Sequence, residues 1–216
     1  MNSKTRRNYG VIGLVFQCFV SLALAARHFG IIWIGHLYFF NFVNVPLQGT
    51  LDDAAKKLVN PKLMPRALWW FRWGAMITFL SGWAIFTLAY MYSPGAGFGP
   101  SALFSTPEGI SSRALWILYG MTLGSIMWFN VWFIIWPAQK SMLQGKVPAE
   151  SLPAVRKKAL MTSRLNTYLS GPLIFAMLAP QSYGAFNALT LVVVTVIGLA
   201  AVWHFIKFSS KVGTSV

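Results

Sequence analysis

From Tyr9 to Val45 the chain carries a single charged residue, Arg27. That run constrains the fold more than any other feature. About 20 apolar residues are enough to cross the hydrocarbon core of a bilayer. Comparable runs recur from about Pro65 to Tyr92, Ser112 to Trp136, Val155 to Leu178 and Tyr183 to Phe208. A soluble domain carries roughly 25% charged residues, whereas this chain has 10%, with 56% hydrophobic and a mean hydropathy of +0.57. The sequence therefore predicts an all-α integral membrane protein, a bundle of five transmembrane helices.

The first run is too long for one perpendicular crossing. At about 1.5 Å per residue it extends about 55 Å, against a core of about 30 Å. One long helix, kinked near Gly30 and ended by Pro46, is the expectation. The alternative is two short spans that turn near Arg27–Gly30, giving six in all. No Pro or Asn-Gly turn signal marks that place. Gln48 to Leu68 reads as a polar connection with a short surface helix at "LDDAAKKL". "SPGAGFGPSALFSTPEGISS" reads as a loop with no room for a core, and "APQSYG" as a tight turn. Residues 1–216 form one membrane domain in this reading, with a basic tail at 1–8 and a C-terminal tail at 209–216.

The net charge of +14 comes from 18 Lys and Arg against four acids. The bases lie beside and between apolar runs, so membrane topology and anionic headgroups account for them. No basic stripe with interleaved aromatics stands clear of the spans, which argues against nucleic acid as a partner. One side of a five-span bundle collects Lys56, Lys57, Lys62, Arg66, Lys140, Lys146, Arg156, Lys157, Lys158, Lys207 and Lys211. The positive-inside rule makes that side, with the C-terminus, cytoplasmic and puts the N-terminus outside. Lys4, Arg6 and Arg7 fit that orientation poorly, which is the main argument for six spans. They precede an apolar stretch and "LALAA", a signal-like pattern read here as a retained anchor or the start of the first span.

Polar residues inside spans are expensive and therefore candidates for function. They are Arg27, His28, His36, Asn41, Asn44, Arg72, Asn130, Arg164, Asn166 and His204. Arg72 and Arg164 lie near span ends, where snorkelling would explain them. His28 and His36 share a broad helix face, and His36 with His204 could hold a haem iron from both sides if the first and last spans touch. His36 would then lie about two turns deeper than His204. Hydrogen bonding to a neighbouring helix is the plainer role for each. Cys18 is the only cysteine, so neither a disulfide nor a thiolate metal site is expected. All four acids fall in loops, so no carboxylate pair for acid–base work lies in the membrane. "ALWWFRWG" and "WFNVWFIIWP" place tryptophans at span ends, as an interfacial belt does.

Four patches together resemble one family: "WIGHLYFFNFVNVP", "WWFRWGAMITFLSG", "NVWFIIWPAQK" and "SRLNTYLSGPLIFAML". In this order they are similar to the urate oxidase N-terminal family, the membrane domain of urate hydroxylases that carry a C-terminal cytochrome c. The resemblance covers roughly residues 20 to 205. Arg72, Asn130, Trp136, Pro137, Arg164 and Asn166 are retained from these patches and are expected as structural and packing residues. The resemblance also implies three further histidines, the expected ligands of a metal or haem. Here those positions are Ala26, Leu165 and Gln181. No Cys-x-x-Cys-His follows the fifth run, so no covalent c-type haem is expected.

With those histidines gone, no catalytic residue, metal site or cofactor is expected. The first expectation is a non-catalytic accessory subunit, packed in the bilayer against a larger membrane oxidase or respiratory-type complex. A haem b electron-transfer or oxidase subunit, with His36, His28 and His204 as ligands, is the alternative. Urate hydroxylation by the chain itself is the third. The family points to a bacterial inner or intracytoplasmic membrane.

Overall fold

The computed structural model describes residues 3–93, 97–104 and 109–213, with side chains described from residue 17 onward except at 93, 101 and 102. The side chains of Lys4, Arg6, Arg7 and Glu108 lie outside the described residues. The fold is all-α, as expected, and is built on five long helical rods.

Helix α1 (Ser3–Tyr38) continues through a π-helical turn, π1 (Phe39–Asn44), into α2 (Val45–Thr50). The rod is unbroken through Arg27–Gly30, so the chain does not turn there. Helix also begins at Ser3, so residues 3–8 belong to the rod and not to a separate tail. Two further expectations need correction: the irregularity lies at Phe39–Asn44, not near Gly30, and Pro46 does not end the helix. Proline lacks an N–H and crowds the carbonyl one turn back. The wider π-turn just before Pro46 absorbs that defect, and the helix resumes with Pro46 in its first turn.

Helix α3 runs from Asp53 to Tyr90. Residues Asp53–Leu58 of the "LDDAAKKL" segment open this helix and do not form a separate surface helix. Asp52 caps it by accepting from the amide of Ala55 at 2.6 Å, which satisfies one of the orphan donors at the helix start. Pro61 and Pro65 lie within it. The following loop forms a small antiparallel pair, β1 (Tyr92–Ser93) with β2 (Gly97–Phe98), and a 3₁₀ turn at Pro100–Leu103.

Helix α4 (Ser112–Phe129) passes through a second π-turn, π2 (Asn130–Ile135), into α5 (Trp136–Leu143). Pro137 again occupies the first turn after the π segment. Helix α6 (Leu152–Ser182) extends through Pro172 and Pro180, so "APQ" is still helical and the turn begins only at Tyr183. Helix α7 (Ala188–Ser209) starts with a capping box between Asn187 and Thr190.

Four rods are long and apolar enough to cross a bilayer: Gln17–Thr50, Asp53–Tyr90, Ser112–Leu143 and Ala188–Ser209. The fifth, α6, is less apolar because it carries Arg156, Lys157, Lys158 and Arg164 and turns a polar face inward. It packs on α4 and α7 and reaches α1 and α5. The main core joins Trp33, Leu37, Phe71, Met127, Val131 and Ile135. A second cluster, around Trp116 and Ala176, closes the opposite end of the bundle. The Trp116 indole donates to the carbonyl of Ala185 at 3.0 Å and ties α4 to the α6–α7 turn.

Candidate functional site

Ser163, Asn166, Thr167 and Ser170 recur at the spacing of one helix face, and α6 turns that face into the bundle. Asn166, Thr167 and Ser170 are completely buried. The two π-turns approach this face with amides. Asn41, in π1, donates to the Ser163 hydroxyl at 2.8 Å and to the carbonyl of Leu37 at 3.0 Å. Asn130, in π2, donates to Asn166 Oδ1 at 2.8 Å, and Asn166 Nδ2 donates to the carbonyl of Met127 at 2.9 Å. The Tyr38 hydroxyl meets that of Ser170 at 2.9 Å. The result is a polar seam along the centre of an apolar bundle, in which side-chain hydrogen bonds hold helices together. One group in it is unsatisfied: Asn41 Oδ1 is buried without a partner.

Asn130 and Asn166, packing residues of the third and fourth patches in the sequence reading, are brought together by the fold. Tyr38, Ser163, Thr167 and Ser170 were missed. The available signal was their spacing, since hydroxyls at i, i+4 and i+7 around an asparagine mark one inward stripe.

Arg72 needs a correction. Snorkelling to water would leave its head group free, yet its guanidinium lies 3.9 Å from the centroid of the Trp136 ring, with Trp73 and Trp132 at 5.9 and 6.0 Å. The Trp132 indole donates to the Arg72 carbonyl at 3.2 Å. Arg72 is thus held in an aromatic bracket between α3 and the π2–α5 segment, a cation–π arrangement. Its Nε is buried without a hydrogen-bond partner. Arg164 is half-buried, and Pro137 is exposed.

The histidines do not converge. His28 and His36 each place Nδ1 on the carbonyl four residues back, Leu24 at 2.8 Å and Ile32 at 2.7 Å. His28 is exposed and His36 half-buried. His204 is exposed and stacks on Phe208. Phe42 and Phe205 face each other across π1 and α7 with centroids 6.4 Å apart. With α1 and α7 running the same way, that register offsets His36 from His204 by about 7 Å along the axis. Two axial ligands on one haem iron stand at about the same level, and His36 and His204 do not. Among the described residues no group of three or more His, Cys, Asp or Glu could hold a metal ion.

Of the three positions where the resemblance implied histidine, Leu165 and Gln181 lie far apart. Leu165 faces outward, 48% exposed, and Gln181 lies sixteen residues further along the same helix, about 24 Å away. Ala26 is on α1.

Arg27 and His28 are both exposed on α1, and neither makes an ion pair among the described residues. The level of Arg27 follows from the α1–α3 contact. A side chain at Gly30 would touch Thr78, and Gly74 lies against the backbone of Trp33. Antiparallel packing then sets Arg27 near the level of Ser81, nine residues and about 14 Å from the end of α3 at Tyr90. The only ion pair among the described residues is Lys56–Asp53, at 3.9 Å and outside the apolar spans' centres.

Between α2, α3, α5 and α6, at the end of the bundle where Lys56, Lys57 and Arg156 gather, lies a cavity of about 850 Å³. Its wall includes Phe40 and Asn44 from π1 and Ile135 from π2. Gln48 and Asn60 exchange two amide hydrogen bonds, at 2.9 and 3.1 Å, and join α2 to α3 beside it.

Comparison with known proteins gives one match. The family model described as urate oxidase N-terminal matches residues 48–98 and 100–215. No curated protein and no solved structure matches the chain.

Proposed function

The chain belongs to the urate oxidase N-terminal family, and on that premise we propose that it is a non-catalytic accessory subunit, packed within the bilayer against a larger membrane oxidase or respiratory-type complex. The observation that carries this reading is the pair Arg27–His28. Both are exposed on α1, well inside the apolar length of the rod, and among the described residues neither has a partner from another helix: His28 bonds only the Leu24 carbonyl one turn back, and Arg27 has no ion pair. A charge facing hydrocarbon costs at least about 2.5–3.5 kcal/mol at a helix centre. A second protein covering that face, with an acceptor for Arg27, removes the cost. The replacement of three expected histidines by Ala26, Leu165 and Gln181 agrees with a scaffold role. So does the polar seam, whose hydrogen bonds are spent on helix packing. By the positive-inside rule the end bearing Lys56, Lys57 and Arg156 is cytoplasmic.

The test is gentle solubilisation of the tagged chain with whatever accompanies it, followed by native gel analysis and an oxidised-minus-reduced absorption spectrum. The chain should migrate in an assembly larger than itself, and Arg27→Leu should release it while its helical content is unchanged. No haem band should stay with the released chain. A fully active, monodisperse partner complex that lacks the chain would sink this reading. A haem b band that persists with the isolated chain would favour an electron-transfer subunit instead, with a histidine from a second chain opposite His28 or His36. Urate turnover by the isolated chain would favour catalysis.

A further inference from the structure

The cavity at the basic end is graded in polarity from mouth to floor. Lys57 and Arg156 stand at its mouth, exposed and without a side-chain ion pair or hydrogen bond among the described residues. Lys56 joins them, only loosely held by the almost fully exposed carboxylate of Asp53 at 3.9 Å. Below the cations lies the amide pair Gln48–Asn60, with Asn44 within 3.4 Å of Gln48. At the floor are Leu68, Phe71 and Ile135, each no more than 3% exposed. Three cations face one screened acid, so the mouth carries positive charge that no other acid among the described residues neutralises. The floor is apolar. A freely soluble anion would use the cations and waste the floor, and an uncharged apolar ligand would do the reverse.

From this gradient we infer that the cavity binds the headgroup and upper chain of an anionic, phosphate-bearing amphiphile, with Lys57 and Arg156 on the phosphate and the amides on headgroup or ester oxygens. Basic pockets between membrane helices take acidic headgroups for the same electrostatic reason. The volume, about 850 Å³, lies within the range of about 300–1,000 Å³ typical of small-molecule sites, so it holds part of one lipid and not several. The π-turns contribute to the shape of the site. They displace Phe40, Asn44 and Ile135 from a regular helical path, and all three line the cavity. The inference is independent of the accessory-subunit reading, because it concerns this chain and lipid alone.

The purified full chain in neutral detergent is titrated with dioleoyl phosphatidylglycerol and followed by native mass spectrometry, with dioleoyl phosphatidylcholine in parallel. One phosphatidylglycerol should bind saturably, and phosphatidylcholine should bind about tenfold more weakly or less. The double variant K57Q/R156Q should lose about tenfold or more in affinity. K157Q/K158Q removes the same charge from neighbouring exposed positions outside the cavity and should stay within about twofold. Equal losses in the two variants would overturn the site in favour of diffuse surface charge. Absence of saturable binding would overturn it outright. Inorganic phosphate should fail to displace the lipid even at about a hundredfold excess. Displacement at equal concentration would assign the mouth to a free anion and overturn the amphiphile.

Discussion

Asn130 and Asn166 are joined by a 2.8 Å hydrogen bond between their amides, across the contact of π2 with α6. Asn166 is wholly enclosed, and its own amide nitrogen reaches on to the carbonyl of Met127. One side chain therefore answers both a side-chain donor and a backbone acceptor in the bundle interior. Buried polar groups that lose a partner keep their desolvation cost, which makes this pair the most sensitive point of the seam.

Asn166→Ala should lower stability by about 2 kcal/mol, since it leaves Asn130 Nδ2 unpartnered and removes the bond to Met127. Asn130→Ala should cost less, about 1 kcal/mol, because Asn166 retains its backbone bond. Reversible unfolding in mixed micelles measures both. The double variant should be no worse than Asn166→Ala alone, and strict additivity would show that the bond contributes nothing.

Asn41 offers a contrast within the same seam. It donates twice but its Oδ1 is buried without a partner. Asn41→Leu discards that unsatisfied acceptor along with the two bonds, and leaves a hydroxyl that can turn elsewhere. It should cost under about 1 kcal/mol by the same assay. A loss as large as that of Asn166→Ala would mean that Oδ1 meets a water or a partner group in the native bundle.

Gly171 and Gly198 let α6 and α7 touch backbone to backbone. A Cβ on Gly171 would fall 2.5 Å from the carbonyl oxygen of Gly198, and one on Gly198 would fall 2.7 Å from the nitrogen of Pro172. Neither obstacle can move without shifting a helix, so Gly171→Ala or Gly198→Ala should destabilise by about 1–3 kcal/mol or more. Gly35 and Gly82 are helical with open space where a Cβ would go, and alanine there should be neutral or stabilise by up to about 1 kcal/mol. Thermal unfolding of the four single variants would separate the two classes. Similar effects at all four would remove the case for close packing.

The legible part of the molecule was what composition and continuity encode. Uncharged runs predicted the helices, and Asn130, Asn166, Trp136 and Arg72 stood out as polar or aromatic residues in a costly setting. What stayed hidden was local backbone geometry. Pro46 and Pro61 both look like helix stops, yet the first follows a π-turn and the second sits inside α3. At Pro46 the wider π-turn gives the ring room, so the helix-stop rule weakens there. The cavity was equally hidden, since its walls come from four segments and its amide pair, Gln48–Asn60, spans the α2–α3 turn. The difference in level between His36 and His204 is legible in the sequence, whereas the bonds of His28 and His36 to the carbonyls one turn back are not.

Arg72 and Trp136 provide the last test. The guanidinium stands 3.9 Å from the Trp136 ring centroid, flanked by Trp73 and Trp132, and no acid faces it among the described residues. The rings are then its principal stabilising partners, and planarity matters because a guanidinium can stack where an ammonium cannot. Arg72→Lys should therefore recover little, with both Arg72→Lys and Trp136→Leu costing about 1–2 kcal/mol. Trp136→Phe keeps a weaker quadrupole and should lie between wild type and Trp136→Leu. Tryptophan emission adds a separate readout, since loss of the cation should change the emission of Trp136 without unfolding the bundle. Full rescue by lysine would show that charge alone is required, and that the stacked geometry has no energetic role.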